Sequence, residues 1–260
     1  MKVILGGARG SFPVSGENQV RYGGNTFSLL VQGRDGDQVL VDAGSGVRKL
    51  KGMLRPGGTL FFTHTHLDHL VGLPLLAKAW PRRMILPRGG LEEILARVFS
   101  PPVWPVQLPK SNFEMPSSPV NVGALKVSWQ AVAHPDGCVS YRVDEPETGA
   151  SVVVATDIEW QMMTPHAQEA FARFAKGTDL LVFDSQYLPA EYAEHKGWGH
   201  STWRDAVAAA RQSGAQKLWL MHHAPSRTDA VLDAIAVEAA DGYPGAVIPT
   251  VEKMTETLHE

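Results

Sequence analysis

The chain has 260 residues, with 24 Lys and Arg against 27 Asp and Glu, and a formal net charge of −3. A mildly acidic chain of this length holds one large α/β domain or two small ones, with no overall basic field to draw it to nucleic acid or an anionic membrane. Cys138 is the only cysteine, which excludes an intramolecular disulfide and a cysteine-based zinc knuckle and suits a reducing cytoplasm.

In chain order, residues 2–6 read as a first strand whose apolar run is too short for a signal peptide. Further strands are expected at 26–32, 37–41, 59–63, 83–87, 124–133, 138–144, 151–155, 179–183 and 216–221, several rich in Val, Leu, Phe and Ile. Helices are expected at 90–99, 161–176, 202–213 and 228–240, with a shorter one near 72–79. The 202–213 helix has a visible start and stop: Ser201 or Thr202 caps it, Asp205 sits in its first turn, and Gly214 lies just past its end. Residues 99–119 carry six prolines, so this stretch reads as neither helix nor central strand but as a stiff loop near the site, offering Trp104 and Phe113. No run approaches the roughly 18–20 apolar residues of a spanning helix. Strands alternate with helices along the whole of 1–260, with no interdomain linker.

Residues 63–69, Thr-His-Thr-His-Leu-Asp-His, carry the chemistry. His64 and His66 alternate at the end of an apolar strand and so turn to one side, while Asp68 and His69 fall where the chain leaves it. Other donors follow apolar strands one at a time: His134 after 129–133, Asp157 after 151–156, and His222 with His223 after 217–221. Strand ends on one edge are where sites collect in layered α/β folds. Seven donors, His64, His66, Asp68, His69, His134, Asp157 and His222, exceed what one tetrahedral zinc uses and suit two divalent ions. Asp42, after residues 38–41, reads either as an acceptor for a ligand imidazole's outer N–H or as a turn before glycine. Arg21, Asn25 and Thr26, around Gly23 and Gly24, are candidate substrate contacts.

His-x-His-x-Asp-His at 64–69, followed by His134, Asp157 and His222, resembles the metallo-β-lactamase fold superfamily of metallohydrolases. The resemblance implies a four-layer αββα sandwich, class α/β. It implies a first metal on His64, His66 and His134, a second on Asp68, His69 and His222 (with His223 as the alternative), and Asp157 between them. Zinc is the first choice by that resemblance; manganese and iron accept the same donors. Residues 9–27, with Arg-Tyr-Gly-Gly-Asn-Thr at 21–26, are similar to the opening of the phosphodiesterase-like and ribonuclease Z-like branch. Gly199-His200-Ser201-Thr202 is similar to the His-Ser-Thr motif of transfer-RNA 3′-processing members, whose His helps to protonate the leaving oxygen. Asp184 stands where ribonuclease Z members carry a Glu-Ala-Thr segment, which alters the pairing. Asp68, His200 and Asp184 are thereby the expected catalytic set.

The function expected is hydrolysis of small or cyclic nucleotide phosphodiesters by a hydroxide bridging two metals. Two cations lower the pKa of a shared water and neutralise phosphoryl oxygens, and a poor alkoxide leaving group needs an acid such as His200. The alternatives are a ribonuclease Z-type endonuclease and a non-hydrolytic metal-binding accessory of the same fold. Structured RNA ranks lower because large RNA needs a basic docking surface, and the 99–119 loop has only Lys110. No membrane partner is expected, and Trp104 and Trp198 would suit a homodimer edge.

Overall fold

In the computed structural model, which describes residues 1–106, 108–251 and 254–259, two seven-stranded sheets face each other. The first contains β1 (Lys2–Gly7), β2 (Ser28–Gln32), β3 (Gln38–Val41), β4 (Thr59–Phe61), β5 (Arg83–Ile85) and β6 (Asn112–Glu114) in that order. The second contains β7 (Val120–Val122), β8 (Leu125–Val132), β9 (Cys138–Glu145), β10 (Ala150–Ala155), β11 (Leu180–Asp184), β12 (Lys217–Met221) and β13 (Ala246–Val247). The chain then returns to the first sheet, where β14 (Thr255–Thr257) pairs antiparallel with β1. Both sheets begin antiparallel and finish parallel: β3 to β6 run parallel, as do β10 to β13.

The layers follow from the two-residue period of a strand. Val39, Val41 and Phe61 turn inward to meet Val127, Tyr141, Val152, Val154 and Val182 between the sheets. Their neighbours Leu40, Leu60 and Phe62 turn outward, under α1 (Val47–Leu50), α2 (Leu67–Leu70) and α3 (Leu91–Val98). On the other side Val153, Leu181, Phe183 and Leu220 pack beneath α4 (Pro165–Phe174), α6 (Trp203–Ser213) and α7 (Asp229–Gly242). α5 (Tyr192–His195) is a single turn between β11 and α6. The result is the αββα sandwich expected from the sequence. Strands with both faces covered read as unbroken apolar runs, which is why β10, β11 and β12 were plain.

Two expectations are corrected. The 161–176 helix begins at Pro165, because Trp160–Met162 forms a separate 3₁₀ turn and Thr164 caps the helix. The 72–79 helix is a 3₁₀ turn at Leu73–Leu76. The Pro-rich stretch contains β6, an edge strand, and Trp104 and Phe113 pack against the apolar layer outside the first sheet. Both rings are half-buried in that layer.

Candidate dinuclear metal site

The site lies at the carboxyl ends of the parallel strands. Asp42 follows β3, His64 to His69 follow β4, Asp157 follows β10, Asp184 ends β11, and His222 follows β12. Asp42, Asp157 and His222 all adopt left-handed backbone, with φ of 56°, 55° and 59°. That conformation costs a non-glycine residue about 1–3 kcal/mol and is held only where the surroundings over-determine it. Here it turns three side chains sharply back across the strand ends.

The predicted donors gather into two groups around one carboxylate. His64, His66, His134 and Asp157 present ligand atoms within 4.8 Å of one another, as do Asp68, His69 and His222. Asp157 faces both groups. Its Oδ1 is 3.6 Å from His64 Nε2 and 3.9 Å from His134 Nε2, whereas Oδ2 is 3.1 Å from His69 Nε2 and 3.3 Å from His222 Nε2. Asp68 Oδ2 lies 3.3 Å from both His69 Nε2 and His222 Nε2 and accepts the Ser11 N–H at 2.8 Å.

The outer nitrogens of His64, His69, His134 and His222 are engaged, which aims the inner ones. His69 Nδ1 donates to Asp42 Oδ2 at 2.8 Å. Thr63 Oγ1 donates to that carboxylate at 2.8 Å and so accepts from His64 Nδ1 at 3.0 Å. Of the two readings of Asp42, the structure shows the acceptor, and through Thr63 it reaches a second imidazole. His134 Nδ1 donates to Gly199 O at 2.9 Å, and His222 Nδ1 donates to Gln186 Oε1 at 3.0 Å. Such outer contacts fix the tautomer of metal-binding histidines. The inner Nε2 atoms of His64 and His69 are buried without a hydrogen-bond partner. Buried lone pairs turned on ionised carboxylates are costly unless a cation lies between them, so these residues fit divalent metals.

The electrostatics agree. Burial alone would raise both carboxyls. Instead His69 and His222 hold Asp68 low, and His222, His69 and His64 hold Asp157 well below the usual range. Burial works against charge on His222, but Asp157, Asp68 and Asp184 outweigh it and raise its pKa to about 9. His223 behaves in the opposite way. Burial, then the charge of Arg9, pushes it down to about 3, and its Nδ1 lies 3.4 Å from Ser185 Oγ. The ligand atoms of His222, and not those of His223, lie in the cluster.

His200 stands beside both groups. Its Nδ1 donates to Asp184 Oδ2 at 2.8 Å, and its ring stacks on His222 with centroids 4.9 Å apart. Asp184 also accepts the N–H of Asp157, Gln186 and Ser201 at 3.0–3.1 Å, so one carboxylate aligns three chain segments.

The expected substrate contacts are not brought here. Arg21 pairs with Asp233 at 2.6 Å, on α7. Thr26 is fully buried and donates to Asp68 O at 2.8 Å, and Asn25 Oδ1 accepts from Ser45 Oγ at 3.3 Å. Asn25 and Thr26 shape the loop under Asp68, and the Thr26 hydroxyl and the Asn25 side-chain oxygen are bonded within the protein. Thr63 and Gln186 were missed, and Gln186 had one signal, its place just after a strand that ends in Asp184.

Fold and cluster together define a metal-dependent hydrolase of the metallo-β-lactamase type. The family model for the beta-lactamase superfamily domain matches residues 37–223, and the chain belongs to that superfamily. It is 26% identical over 306 aligned positions to a ribonuclease Z of Haloarcula marismortui, covering 95% of this chain and 94% of that protein. Among solved structures it superimposes on Zn(2+)-bound PqqB from Methylobacterium extorquens with a TM-score of 0.75 and 15% identity, covering 99% of this chain and all of the other. A diphosphatase from the PhnP family gives 0.72 and 17%, covering 99% of this chain and 97% of the other. Among the described residues no helix is long and apolar enough to cross a membrane.

Proposed function

We propose that the protein is a dinuclear phosphodiesterase acting on small or cyclic nucleotide phosphodiesters. When bound, two divalent cations, zinc first among them, supply charge neutralisation for a phosphoryl group and a nucleophile at neutral pH. His64, His66 and His134 would hold one, Asp68, His69 and His222 the other, with Asp157 shared. The observation that carries the reading is His200, locked to Asp184 at 2.8 Å beside both groups. With Nδ1–H given to Asp184, the remaining Nε2 can carry a proton to a departing alkoxide, which needs it. A thiolate leaving from a thioester makes less demand on such an acid.

Small substrates are favoured by the surroundings. Phe12, Leu67 and Trp198 are exposed, each within one residue of a group that touches the cluster. Exposed apolar side chains next to cluster residues and a net charge of −3 suit a base or aryl group better than an RNA backbone. The second reading, a ribonuclease Z-type endonuclease, is supported by the Haloarcula relative, although the 306-position alignment exceeds the 260 residues here, so that relative carries inserted segments.

Metal-loaded protein assayed on bis-p-nitrophenyl phosphate, cyclic nucleotides, precursor transfer RNA, nitrocefin and a thioester decides between them. Turnover of cyclic nucleotides that changes little between low and physiological salt is expected. Strongly salt-sensitive cleavage of precursor transfer RNA, with negligible turnover of cyclic nucleotides, would reverse the ranking. His200→Ala should lower turnover of nucleotides by about 10²–10⁴-fold while metal content holds.

A further inference from the structure

We propose that Glu159 is a positioning residue for this site, holding the 192–199 segment in the arrangement that presents His200. The inference rests on reading His200 as the acid.

Glu159 lies two residues beyond Asp157 and is buried. Its Oε1 accepts the Gly197 N–H at 2.6 Å and the Tyr192 hydroxyl at 2.8 Å, and its Oε2 accepts the Gly199 N–H at 2.8 Å. Gly197 and Gly199 have φ of 88° and 91°. Backbone N–H groups turned inward by such residues make a concavity for an anion, and here the protein's own carboxylate fills it. Hydrogen bonds to an ionised acceptor are roughly twice as strong as neutral ones, so three of them pin a segment that has only one short helical turn of its own.

Two functional groups hang on that segment. Gly199 gives its N–H to Glu159 and its carbonyl to His134 Nδ1. His200 is the next residue. Glu159 also donates its backbone N–H to Ala133 O at 2.8 Å, tying the stretch before His134 to the same point. His134 has a second anchor in its own turn, closed by Gly137 N–H to His134 O at 3.1 Å. His200 is held on one side by Ser201, whose N–H goes to Asp184, and on the other only by Gly199, so loosening the segment frees the side of His200 that Glu159 anchors.

The test is Glu159→Gln, which keeps shape but sets an NH₂ against one of the backbone N–H groups. Turnover of a nucleotide diester, with its alkoxide leaving group, should fall by about tenfold or more, up to the range of a lost general acid. Turnover of bis-p-nitrophenyl phosphate should stay near that of the parent. Added to His200→Ala, the change should cost nothing further. In metal-free protein, amide hydrogen exchange at Gly197 and Gly199 should quicken. Equal losses on both leaving groups, full additional loss in the double variant, or unchanged exchange would each overturn the proposal. If His200→Ala alone shows no leaving-group dependence, the acid reading fails, while non-additivity and exchange still judge Glu159. Tyr192→Phe removes one donor, keeps the carboxylate, and should show the same split at smaller size; if Glu159→Gln does not fold, its behaviour decides.

Discussion

Gly199 and Gly10 show how tightly single residues confine the ligand rings. A Cβ on Gly199 would sit 2.1 Å from His134 Nδ1, at a φ of 91°, and one on Gly10 would sit 2.3 Å from His222 Nδ1. Gly199→Ala should therefore displace His134 and weaken metal binding in its group by about 10–100-fold, the usual cost of disturbing a ligand's outer partner. Competitive chelation measures this, and unchanged affinity would show that the ring has room to shift. His223 offers a pH handle. Its folded pKa is near 3, against 6.5 for the free side chain. Between those values the unfolded chain binds the proton and the folded one does not, so stability is present above pH 6.5 and falls as pH drops towards 3. The slope of Tm against pH in that window should be flatter in His223→Asn than in the parent; identical slopes would assign the acid sensitivity to other groups. At this scale the residues that gather in the cluster were legible because each follows an apolar strand. Arg21, Asn25 and Thr26 were not, since a glycine-rich stretch looks like a ligand loop until Arg21 is seen to meet Asp233, 212 positions away. Gln186 and Glu159 act across 36 and 40 positions, which no local pattern records.

At the scale of elements, α6 links a helix start to the chemistry. Thr202 accepts from the Asp205 N–H, and Asp205 accepts from the Thr202 N–H at 2.9 Å, a reciprocal capping box. The sequence signs for this helix were local, and they held. His200 stands just ahead of this helix, and its ring is fixed by Asp184 on β11. Thr202→Ala should cost about 1 kcal/mol of stability, read by denaturant midpoint, and the larger loss should be in turnover because His200 is two residues upstream. A stability loss with unchanged turnover would mean that Asp184 alone orients the ring. β6, β13 and β14, each two or three residues long, were beyond local reading. Their strand character comes from an edge partner, and nothing in three residues announces one.

The whole molecule brings donors from both sheets to one place. His64 to His69 come from the loop after β4 in the first sheet, whereas His134, Asp157 and His222 come from the second. Metal held by these donors would therefore join the two sheets. A ligand held only by the folded state stabilises it by about 2.7 kcal/mol at a hundredfold excess over Kd. Metal removal should accordingly lower Tm by several degrees. Unfolding should remain a single transition, because the inter-sheet core of Val39, Val41, Tyr141, Val152 and Val154 is shared and untouched. Elemental analysis should find two metals per chain in the parent protein. His134→Ala should lose one and His69→Ala the other, while Asp157→Ala should weaken both, since its two oxygens face different groups. A parent protein holding at most one metal after reconstitution with zinc or manganese would remove the dinuclear reading. An Asp157→Ala protein that kept one site at full affinity would show that its carboxylate serves a single ion.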